Sequence, residues 1–389
     1  MAFVITQNCC KDASCVPACP VDCIRPLDDS TDMLFIDPDT CIDCGACVDE
    51  CPVDAIHYED DLPPEQLGFQ QINAEYFRHH PLEPVTAAAP AKHAPVLPGA
   101  LRVAIVGAGP AACYAATELV AVDNVEVNLF ERLPTPFGLI RSGVAPDHQN
   151  TKAIARIFEP ALASDRVACY LNVDVGTQIS HKELMAHHHA VIYAVGARNG
   201  RRLSIPGEDL AGVHNAADFV GWYNGQPDRR SQDIDLTGPR AVIIGNGNVA
   251  LDIGRVLLSD HGTLAGTDIA EHALTVLSSS GIREVIIVAR RSLRDAAFSV
   301  GEFLALGHLG GVNIIIEDEN LSPHPNDGLE QNLKLQIARE YAQRPTDSAD
   351  KRLVFRFGLT PTEVIGAQRA EALRVMPSKT SIGGELIET

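Results

Sequence analysis

The sequence predicts an α+β module at the N-terminus followed by two α/β domains, and three observations support this prediction. Nine of the eleven cysteines lie between positions 9 and 51. Two stretches, 101–131 and 240–291, each have the pattern of a buried strand, a glycine turn, a helix and a second strand. The continuous apolar runs in these stretches are typical of parallel strands covered by helices. A chain of 389 residues is also too long for one ordinary domain.

The composition excludes several classes of protein. Lys and Arg number 31 against 51 Asp and Glu, which leaves a formal net charge of −20. Surfaces that bind nucleic acids or anionic membranes need clustered positive charge, so neither partner is expected. No apolar run approaches the roughly 20 residues that span a bilayer, and the first ten residues do not resemble a secretory signal. The concentration of cysteines in one segment therefore indicates a cytoplasmic protein with a metal-binding module rather than a disulfide framework.

The segment CIDCGACVDECP (41–52) has the spacing C-x2-C-x2-C-x3-C-P, which is typical of an iron–sulfur site. Three thiolates on one tight loop can bind three corners of a cubane cluster, and the fourth, before Pro52, then binds a neighbouring cluster. A structural zinc site would normally use two separated pairs of ligands. The spacing therefore predicts iron–sulfur clusters.

The partner motif is NCCKDASCVPACPVDC (8–23), in which Cys19 precedes a proline and takes the place of the fourth cysteine. In the crossed arrangement of two-cluster folds, one [4Fe–4S] cluster is bound by Cys19, Cys41, Cys44 and Cys47. The second group is then Cys15 and Cys51 with Cys9, although Cys10 is an alternative to Cys9. Three thiolates favour a [3Fe–4S] cluster there, whereas a fourth ligand, Cys10 or Cys23, would give a [4Fe–4S] cluster. The isolated Cys113 and Cys169 are expected to be small core residues.

The first glycine turn lies in VAIVGAGPAA, which gives the pattern G-x-G-x-x-A with Gly107, Gly109 and Ala112. In a dinucleotide-binding turn, the first glycine makes the tight turn, the second lets the backbone approach a pyrophosphate, and the third small residue permits close helix–strand packing. Glu131 ends the following strand, where a carboxylate accepts hydrogen bonds from ribose hydroxyls. This pattern predicts a Rossmann-like domain.

The second turn, GNGNVA (245–250), repeats the pattern with Gly245, Gly247 and Ala250. Its following strand ends in Arg290 and Arg291 instead of an acid. Two guanidinium groups there suit the 2′-phosphate that distinguishes NADPH from NADH. The two turns therefore predict two different dinucleotides, FAD at the first and NADPH at the second.

Longer strings carry a resemblance to a known family. Residues 101–389 resemble the adrenodoxin-reductase-like NADPH–ferredoxin reductases through VAIVGAGPAA, LPTPFGLIRSGVAPDHQNTK, AVIYAVGA, IPGEDLAGVHNAADFVGWYNG, GNGNVALD and ARR. Residues 1–60 resemble seven-iron bacterial ferredoxins through CPVDCI and DPDTCIDCGACVDECPVDAI, a family in which Cys23 would not be a ligand. The interval from Cys9 to Cys15 is shorter than in that family. The whole chain thus resembles a ferredoxin-fused reductase with two Rossmann-like domains of the glutathione-/adrenodoxin-reductase type.

The resemblance implies a division of the chain and a set of site residues. The predicted division begins with a two-cluster ferredoxin domain at 1–60 and a linker at 61–100, which is acidic at first and then rich in Pro and Ala. An FAD-binding domain at 101–200, an NADPH-binding domain at 201–350 and a return to the FAD-binding domain at 351–389 follow. The Pro/Ala-rich part of the linker is expected to be an extended spacer or an ordered strap. The implied flavin contacts are Ala112, Glu131, Leu139 and Val175. The implied NADPH contacts are Arg201, Asn246, Gly247, Asn248, Val249, Arg290, Arg291 and Glu302. His148 and Asp252 are the implied catalytic residues, on a proton route to flavin N5.

The predicted function is that of a ferredoxin–NADP+ oxidoreductase. Hydride passes from NADPH to FAD, and single electrons then pass to the clusters and to a redox acceptor protein of unknown identity. The alternatives are an electron-input subunit like the small subunit of glutamate synthase, or a non-enzymatic iron–sulfur carrier. The sequence stops after GGELIET, before the segment with which that family covers its flavin. We therefore expect a truncated product or a fragment with an incomplete flavin site that binds FAD loosely.

Overall fold

The computed structural model describes residues 2–25, 31–82, 93–197, 200–318, 321–347, 350–378 and 385–389. These residues form a cysteine-bearing module, two α/β domains and a small antiparallel sheet, in that order along the chain. None of the helices in these ranges combines the length and the apolar character needed to span a bilayer.

The cysteine module consists of short elements around a small core. Its described elements are β1 (Phe3–Ile5), α1 (Cys15–Ala18), β2 (Ile24–Arg25), β3 (Phe35–Ile36), α2 (Ala46–Asp49), β4 (Ile56–Tyr58) and α3 (Gly68–His79). β1 pairs antiparallel with β4, and β2 pairs antiparallel with β3. Because a module of this size buries little apolar surface, metal binding by its cysteines would add substantially to its stability.

Helix α3 corrects the predicted linker at 61–100. It places Phe69, Ile72, Tyr76 and Phe77 on one buried face that packs into the core of the cysteine module. Between them, the buried Asn73 amide accepts a hydrogen bond from Ile36 N at 2.9 Å and donates one to Ile5 O at 2.9 Å, so that α3 joins β3 to β1. The helical spacing of these apolar residues outweighs the acidic composition around them. Residues 83–92 of the predicted linker lie outside the described residues.

The first α/β domain is built on a parallel sheet with strand order β7-β6-β5-β8. Its elements are β5 (Leu101–Val106), α4 (Pro110–Val120), β6 (Val125–Glu131), α5 (Leu139–Ser142), α6 (Gln149–Lys152), α7 (Ala155–Leu162), β7 (Val167–Leu171), α8 (His181–His187) and β8 (Ala190–Tyr193). The residues 103–106 of β5 are buried; Val103 and Ile105 pack against α4, and Ala104 and Val106 pack on the other face of the sheet. Cys113 is buried on α4, as predicted, but Cys169 on the edge strand β7 is exposed, because that face of the edge strand is not covered within the described residues.

The second α/β domain repeats this architecture with the parallel strand order β11-β12-β10-β9. Its elements are α9 (Ala216–Tyr223), β9 (Arg240–Ile244), α10 (Asn248–Leu258), α11 (His261–Ala265), α12 (Glu271–Ser278), β10 (Glu284–Val288), α13 (Val300–Ala305), β11 (Val312–Glu317), α14 (Leu329–Gln343) and β12 (Lys351–Arg356). All residues of β10 are buried, as expected for an inner strand of a parallel sheet that is covered on both faces.

The predicted boundary at 351, with 351–389 returning to the FAD-binding domain, is wrong. β12 lies between β11 and β10 in the second sheet, since its apolar centre, residues 353–355, is buried on both faces. The remaining strands, β13 (Leu359–Ile365), β14 (Ala372–Pro377) and β15 (Glu385–Glu388), form an antiparallel sheet. Val364, Leu373 and Val375 of that sheet pack against Ile286 and Val354 of the second domain. All the described strands beyond 350 therefore belong with the second domain.

Candidate functional site

The first glycine turn brings two backbone segments unusually close together. Gly107 has a φ of +106°, and a Cβ there would lie 2.3 Å from Ala194 O, so only glycine fits. Its N–H donates to Phe130 O at 2.7 Å, which places the turn at the carboxyl end of the sheet. A Cβ on Gly138 would lie 2.7 Å from Gly109 Cα. Helix α4 begins immediately afterwards, and its N-terminus presents free N–H groups toward an anion.

Glu131 directly follows Phe130, whose carbonyl oxygen accepts the hydrogen bond from the Gly107 N–H. Its side chain is buried, and its two carboxylate oxygens accept hydrogen bonds from Ala108 N at 2.8 Å and Leu133 N at 2.9 Å. Each oxygen keeps a lone pair for a further donor. Ala112 is fully buried between α4 and the sheet, and Val175 packs on the neighbouring cluster that contains Phe130. The turn and the carboxylate therefore fit a dinucleotide with ribose hydroxyls.

The second turn has the same backbone geometry and more open surroundings. Gly245 has a φ of +115°, and its N–H donates to Val288 O at 2.9 Å. A Cβ on Gly247 would meet nothing within 4 Å, so there is room for a ligand above the turn. The buried Asn246 Nδ2 has no hydrogen-bond partner among the described residues, and a buried donor without an acceptor indicates a position for a bound polar group. The neighbouring Asn248 Oδ1 accepts from Ser299 N at 2.7 Å, which joins α10 to the start of α13.

Arg290 and Arg291 follow Val288 at the end of β10, and both are exposed. Neither side chain forms a hydrogen bond or an ion pair with any residue that the structure describes. An unpaired guanidinium at this position is available for a phosphate group. Beyond the end of β10 there is thus unpaired positive charge among the described residues, whereas the end of β6 presents the buried carboxylate of Glu131.

A cleft of about 1790 Å³ lies between the two α/β domains and extends to the cysteine module. Seven of the sixteen predicted catalytic and nucleotide-binding residues line it, namely Leu139, His148, Arg201, Asn248, Val249, Asp252 and Glu302. The predicted residues Ala112, Glu131, Val175, Asn246, Gly247, Arg290 and Arg291 are not part of its lining. The structure therefore brings the predicted catalytic residues together with residues predicted to contact each of the two nucleotides.

The centre of the cleft is a group of titratable side chains from three parts of the chain. His148, just before α6, lies between Asp252 on α10 and Glu302 on α13, with nitrogen–oxygen distances of 3.8 Å to each. Burial and the charge of Glu302 raise the pKa of Asp252 to about 7, although His148 opposes the shift. Near neutral pH, this carboxyl group can therefore both hold and release a proton.

Two members of this group were missed in the sequence. The Arg255 guanidinium is buried and pairs with both Asp252 and Asp147. The signal was present in part, since Arg255 lies three residues after Asp252 on one helix and Asp147 directly precedes His148. Tyr223 also contributes a buried hydroxyl that has no hydrogen-bond partner in the part of the chain that the structure describes, and burial together with the charge of Asp252 raises its pKa.

The cysteines form two separate groups, and none of the eleven, all within the described ranges, forms a disulfide. The first group lines one small cavity of the module and consists of Cys19, Cys41, Cys44, Cys47 and Cys23. Gly45, with a φ of +73°, allows the tight loop between Cys44 and α2. Several thiols facing one cavity without oxidation to a disulfide are the donor set that an iron–sulfur cluster requires.

The second group contains Cys9, Cys15 and Cys51. Burial raises the pKa of Cys15 to about 12, with further contributions from the nearby charges of Cys9 and Cys51. Backbone N–H groups point at two of these sulfurs, Leu34 N at 3.5 Å from Cys9 Sγ and Ala55 N at 3.3 Å from Cys51 Sγ. Such donors stabilise thiolates that are bound to a metal.

The two alternative fourth ligands of the second group, Cys10 and Cys23, lie in different surroundings. Cys23 Sγ lies 3.4 Å from Cys19 Sγ, and its N–H points at the same sulfur, so it belongs to the first cavity. Cys23 as a ligand of the second cluster stays a prediction, as does Cys10. Burial, and then the nearby charges of Cys9 and Cys51, raise the pKa of Cys10, which therefore lies close to the second group.

The comparisons with known proteins agree with this geometry. Residues 34–57 match the family model "4Fe-4S binding domain", and residues 101–299 match "Pyridine nucleotide-disulphide oxidoreductase". A probable ferredoxin/ferredoxin–NADP reductase of Mycobacterium tuberculosis is 46% identical over 391 residues, which cover 95% of this chain and 68% of the relative. The chain belongs to this reductase family.

Other relatives match a shorter part of the chain. The NADPH-ferredoxin reductase FprA of Mycobacterium tuberculosis is 45% identical over 284 residues, covering 70% of this chain and 62% of the relative. A solved structure of that protein in complex with NADPH superposes with a TM-score of 0.69 at 42% identity, covering 74% of this chain and 67% of that one. The predicted fold class and the resemblance to a ferredoxin-fused reductase are therefore confirmed.

Proposed function

We propose that this protein is an NADPH-dependent ferredoxin reductase that passes electrons from NADPH through FAD to its own iron–sulfur module and then to an acceptor protein. The observation that carries the proposal is the meeting of His148, Asp252 and Glu302 in a cleft between two dinucleotide turns. Membership of the ferredoxin/ferredoxin–NADP reductase family supports it. When bound, FAD supplies the exchange between a two-electron hydride and single electrons, which no side chain can perform.

The second domain would bind NADPH. Arg290 and Arg291 are free to pair with the 2′-phosphate, and the orphaned Asn246 amide, beside the open space over Gly247, is available to the pyrophosphate. Arg201, Asn248 and Val249 line the cleft from which the nicotinamide half would approach. These assignments rest on the resemblance together with the unpaired state of the polar groups.

The first domain would bind FAD. The close approach at Gly107 and Gly109 leaves the N-terminus of α4 open to the pyrophosphate, and Glu131 keeps lone pairs for the ribose. Leu139 is 64% exposed at the edge of the cleft, where an apolar ring system would cover it. Val175, which packs on the cluster that contains Phe130, would close the adenosine end.

The side chains of the cleft would hold and move protons. His148 lies between the carboxylates of Asp252 and Glu302, and a proton on the imidazole can pass to Asp252, whose pKa is about 7. Arg255 fixes the position of Asp252 by pairing with it. These groups would orient the reacting nicotinamide and exclude water around it.

The cluster types follow from the two cysteine groups. We assign a [4Fe–4S] cluster to Cys19, Cys41, Cys44 and Cys47. The second group, Cys9, Cys15 and Cys51, offers three thiolates, which favour a [3Fe–4S] cluster; Cys10 is the cysteine positioned to complete a [4Fe–4S] cluster there. Thiolate ligands and clusters of this kind suit a reducing compartment such as the cytoplasm.

An anaerobic absorption spectrum tests the proposal. Protein purified without oxygen should show flavin bands over a broad cluster absorbance, and NADPH should bleach the flavin bands rapidly while NADH does so poorly. Iron and sulfide analysis should account for two clusters. Protein that contains zinc alone, or flavin that NADPH does not bleach, would contradict the proposed function.

A further inference from the structure

We propose an order for the two cysteine groups: the group Cys9, Cys15 and Cys51 receives electrons from the flavin-binding domain, and the group Cys19, Cys41, Cys44 and Cys47 delivers them to the acceptor protein. The inference rests on the proposed function and adds to it the order in which electrons pass through the two cysteine groups. It depends on which side of the cysteine module contacts the reductase domains.

The module packs against the first α/β domain through the second cysteine group. Val53 and Ala55 of the module share a buried apolar cluster with Ile140 and Phe158 of that domain. Three cysteines, Cys9, Cys10 and Cys51, pack against the same cluster. Phe137 and Ile140, which flank the close approach of Gly138 to Gly109, belong to it too. This group therefore lies directly against the turn that would hold the flavin pyrophosphate.

The loop that carries this group is fixed to the first domain. Lys11 and Ala13 both have positive φ values, +58° and +67°, so the chain between Cys10 and Cys15 has a tight conformation that costs energy. The Asp12 carboxylate, at the centre of the loop, accepts a hydrogen bond from Tyr114 OH on α4 at 3.2 Å. The contact holds the loop beside the helix whose N-terminus faces the first dinucleotide turn.

One sulfur-bearing residue of this group reaches the catalytic cleft itself. Cys9 lines the cleft that also contains Leu139, His148 and Asp252. Side chains from α3, Ile72 and Tyr76, line the same cleft from the module. The second cysteine group therefore borders the same cleft as the predicted catalytic residues.

The first cysteine group surrounds a cavity of its own. Its cavity is lined by residues of the cysteine module alone. Cys44 is exposed, and the neighbouring Ile42 side chain is 57% exposed, so the loop 41–44 is open to a partner. An incoming acceptor protein can touch this loop, whereas the second group is covered by the first α/β domain.

The second α/β domain fixes the module in this orientation. A Cβ on Gly301 would lie 3.3 Å from Phe69 Cζ and 3.1 Å from Gln7 Cβ, and one on Gly68 would lie 3.0 Å from Leu304 Cδ2. The buried Leu333 of α14 also belongs to the core of the module. Contacts with both α/β domains leave the module little freedom to turn its other face toward the cleft.

The overall step balances without a further reagent. NADPH loses a hydride, which carries two electrons, and two molecules of a one-electron acceptor protein each take one. The products are NADP⁺, one proton and two reduced acceptors. Cys47 on the helix α2 would hold the first cluster and Cys51, which follows the end of that helix, would hold the second, so the two clusters would be linked by a short stretch of chain.

Two cysteine variants of the full-length holoprotein, purified without oxygen, test the order. Cys51→Ser should remove the second cluster. Dithionite should still reduce the remaining [4Fe–4S] cluster, but excess NADPH should reduce it at least tenfold more slowly than in the unaltered protein. Cys44→Ser should remove the [4Fe–4S] cluster and leave the second one reducible by NADPH. Low-temperature EPR of samples frozen at set times after mixing gives both readouts. Cys169→Ser, an exposed cysteine outside both groups, is the matched control and should behave as the unaltered protein.

The opposite results would overturn the order. In Cys51→Ser, NADPH would reduce the [4Fe–4S] cluster as fast as in the unaltered protein. In Cys44→Ser, NADPH would no longer reduce the second cluster. If a variant does not assemble its remaining cluster, a soluble dysprosium complex gives the same decision when it is added to the unaltered protein both before and after reduction by dithionite, because a [3Fe–4S] cluster gives its EPR signal when oxidised and a [4Fe–4S] cluster when reduced. It should speed the EPR relaxation of the [4Fe–4S] signal and leave the other signal unchanged; the reverse pattern would refute the order. If NADPH does not bleach the flavin of the unaltered protein, both the proposed function and this order are refuted.

Discussion

Replacing Arg290 and Arg291 by alanine should remove the preference for NADPH. Both side chains are exposed and unpaired among the described residues, so the substitution breaks no hydrogen bond or ion pair within the fold. β10 itself is buried along its whole length, which leaves the sheet unaffected. The change therefore tests ligand binding alone, and the variant should melt at the temperature of the unaltered protein.

The magnitude follows from the two charged groups that would no longer bind the 2′-phosphate. A hydrogen bond to a charged group contributes about 1.5–3 kcal/mol, and solvent exposure places these two near the lower end. Removal of both should cost about 3 kcal/mol, which lowers kcat/KM for NADPH about 100-fold. Each single substitution should lower it about tenfold. Because the 2′-phosphate is remote from the reacting ring, the change should fall on KM rather than on kcat.

Steady-state reduction of a dye by NADPH and by NADH is the assay. The kinetic constants for NADH should change less than about twofold, since NADH has no 2′-phosphate. Arg78→Ala is the matched control, because Arg78 is an exposed arginine on α3 that pairs locally with Glu75. The reasoning is refuted if the unaltered protein uses both nucleotides equally, or if the double variant loses activity equally with both.

Three further predictions concern the clusters, the turn and the cleft. Cys44→Ala should lower the iron content by the share of one [4Fe–4S] cluster; unchanged iron and sulfide would contradict the assignment. Gly107→Ala should abolish flavin retention, because a Cβ would lie 2.3 Å from Ala194 O, and the flavin-to-protein ratio after gel filtration measures it. Asp252 has a folded-state pKa of about 7 against an ordinary 3.8, so the folded state binds the extra proton. The unaltered protein should therefore lose stability as the pH rises from about 4 to 7; Asp252→Asn should lack that slope in melting experiments, and an equal slope in both would contradict the shift.

The sequence predicted the parts of the fold in which local pattern and tertiary role agree. The two glycine turns follow buried strands and open helices, so their residues could be assigned by spacing alone. Helix α3 was missed because an acidic composition hid the apolar residues Phe69, Ile72 and Tyr76, whose partners lie on β1 and β3. The strand β12 was assigned to the wrong domain, since an apolar run does not indicate which sheet it joins.

The candidate site shows the same limit. His148, Asp252 and Glu302 come from three segments separated by many residues, and no pattern predicted the 3.8 Å distances from the imidazole to the two carboxylates. Here the resemblance supplied the residues and the fold supplied the contacts. Arg255 was missed because an arginine within an apolar helix is usually a solvated side chain, and only burial against Asp147 and Asp252 distinguishes it.

The two dinucleotide turns share a backbone and differ in how their strand-end side chains are held, which has a consequence for binding. Glu131 is buried and fixed by the N–H groups of Ala108 and Leu133, so its position is set before any ligand arrives. Arg290 and Arg291 are exposed and unpaired within the described ranges, so they must be ordered by the ligand itself. A preorganised site loses less entropy on binding and holds its ligand longer, whereas a site that orders on binding releases its ligand more readily. The same turn therefore suits a resident flavin in the first domain and an exchanging NADPH in the second, which is the asymmetry that repeated turnover requires.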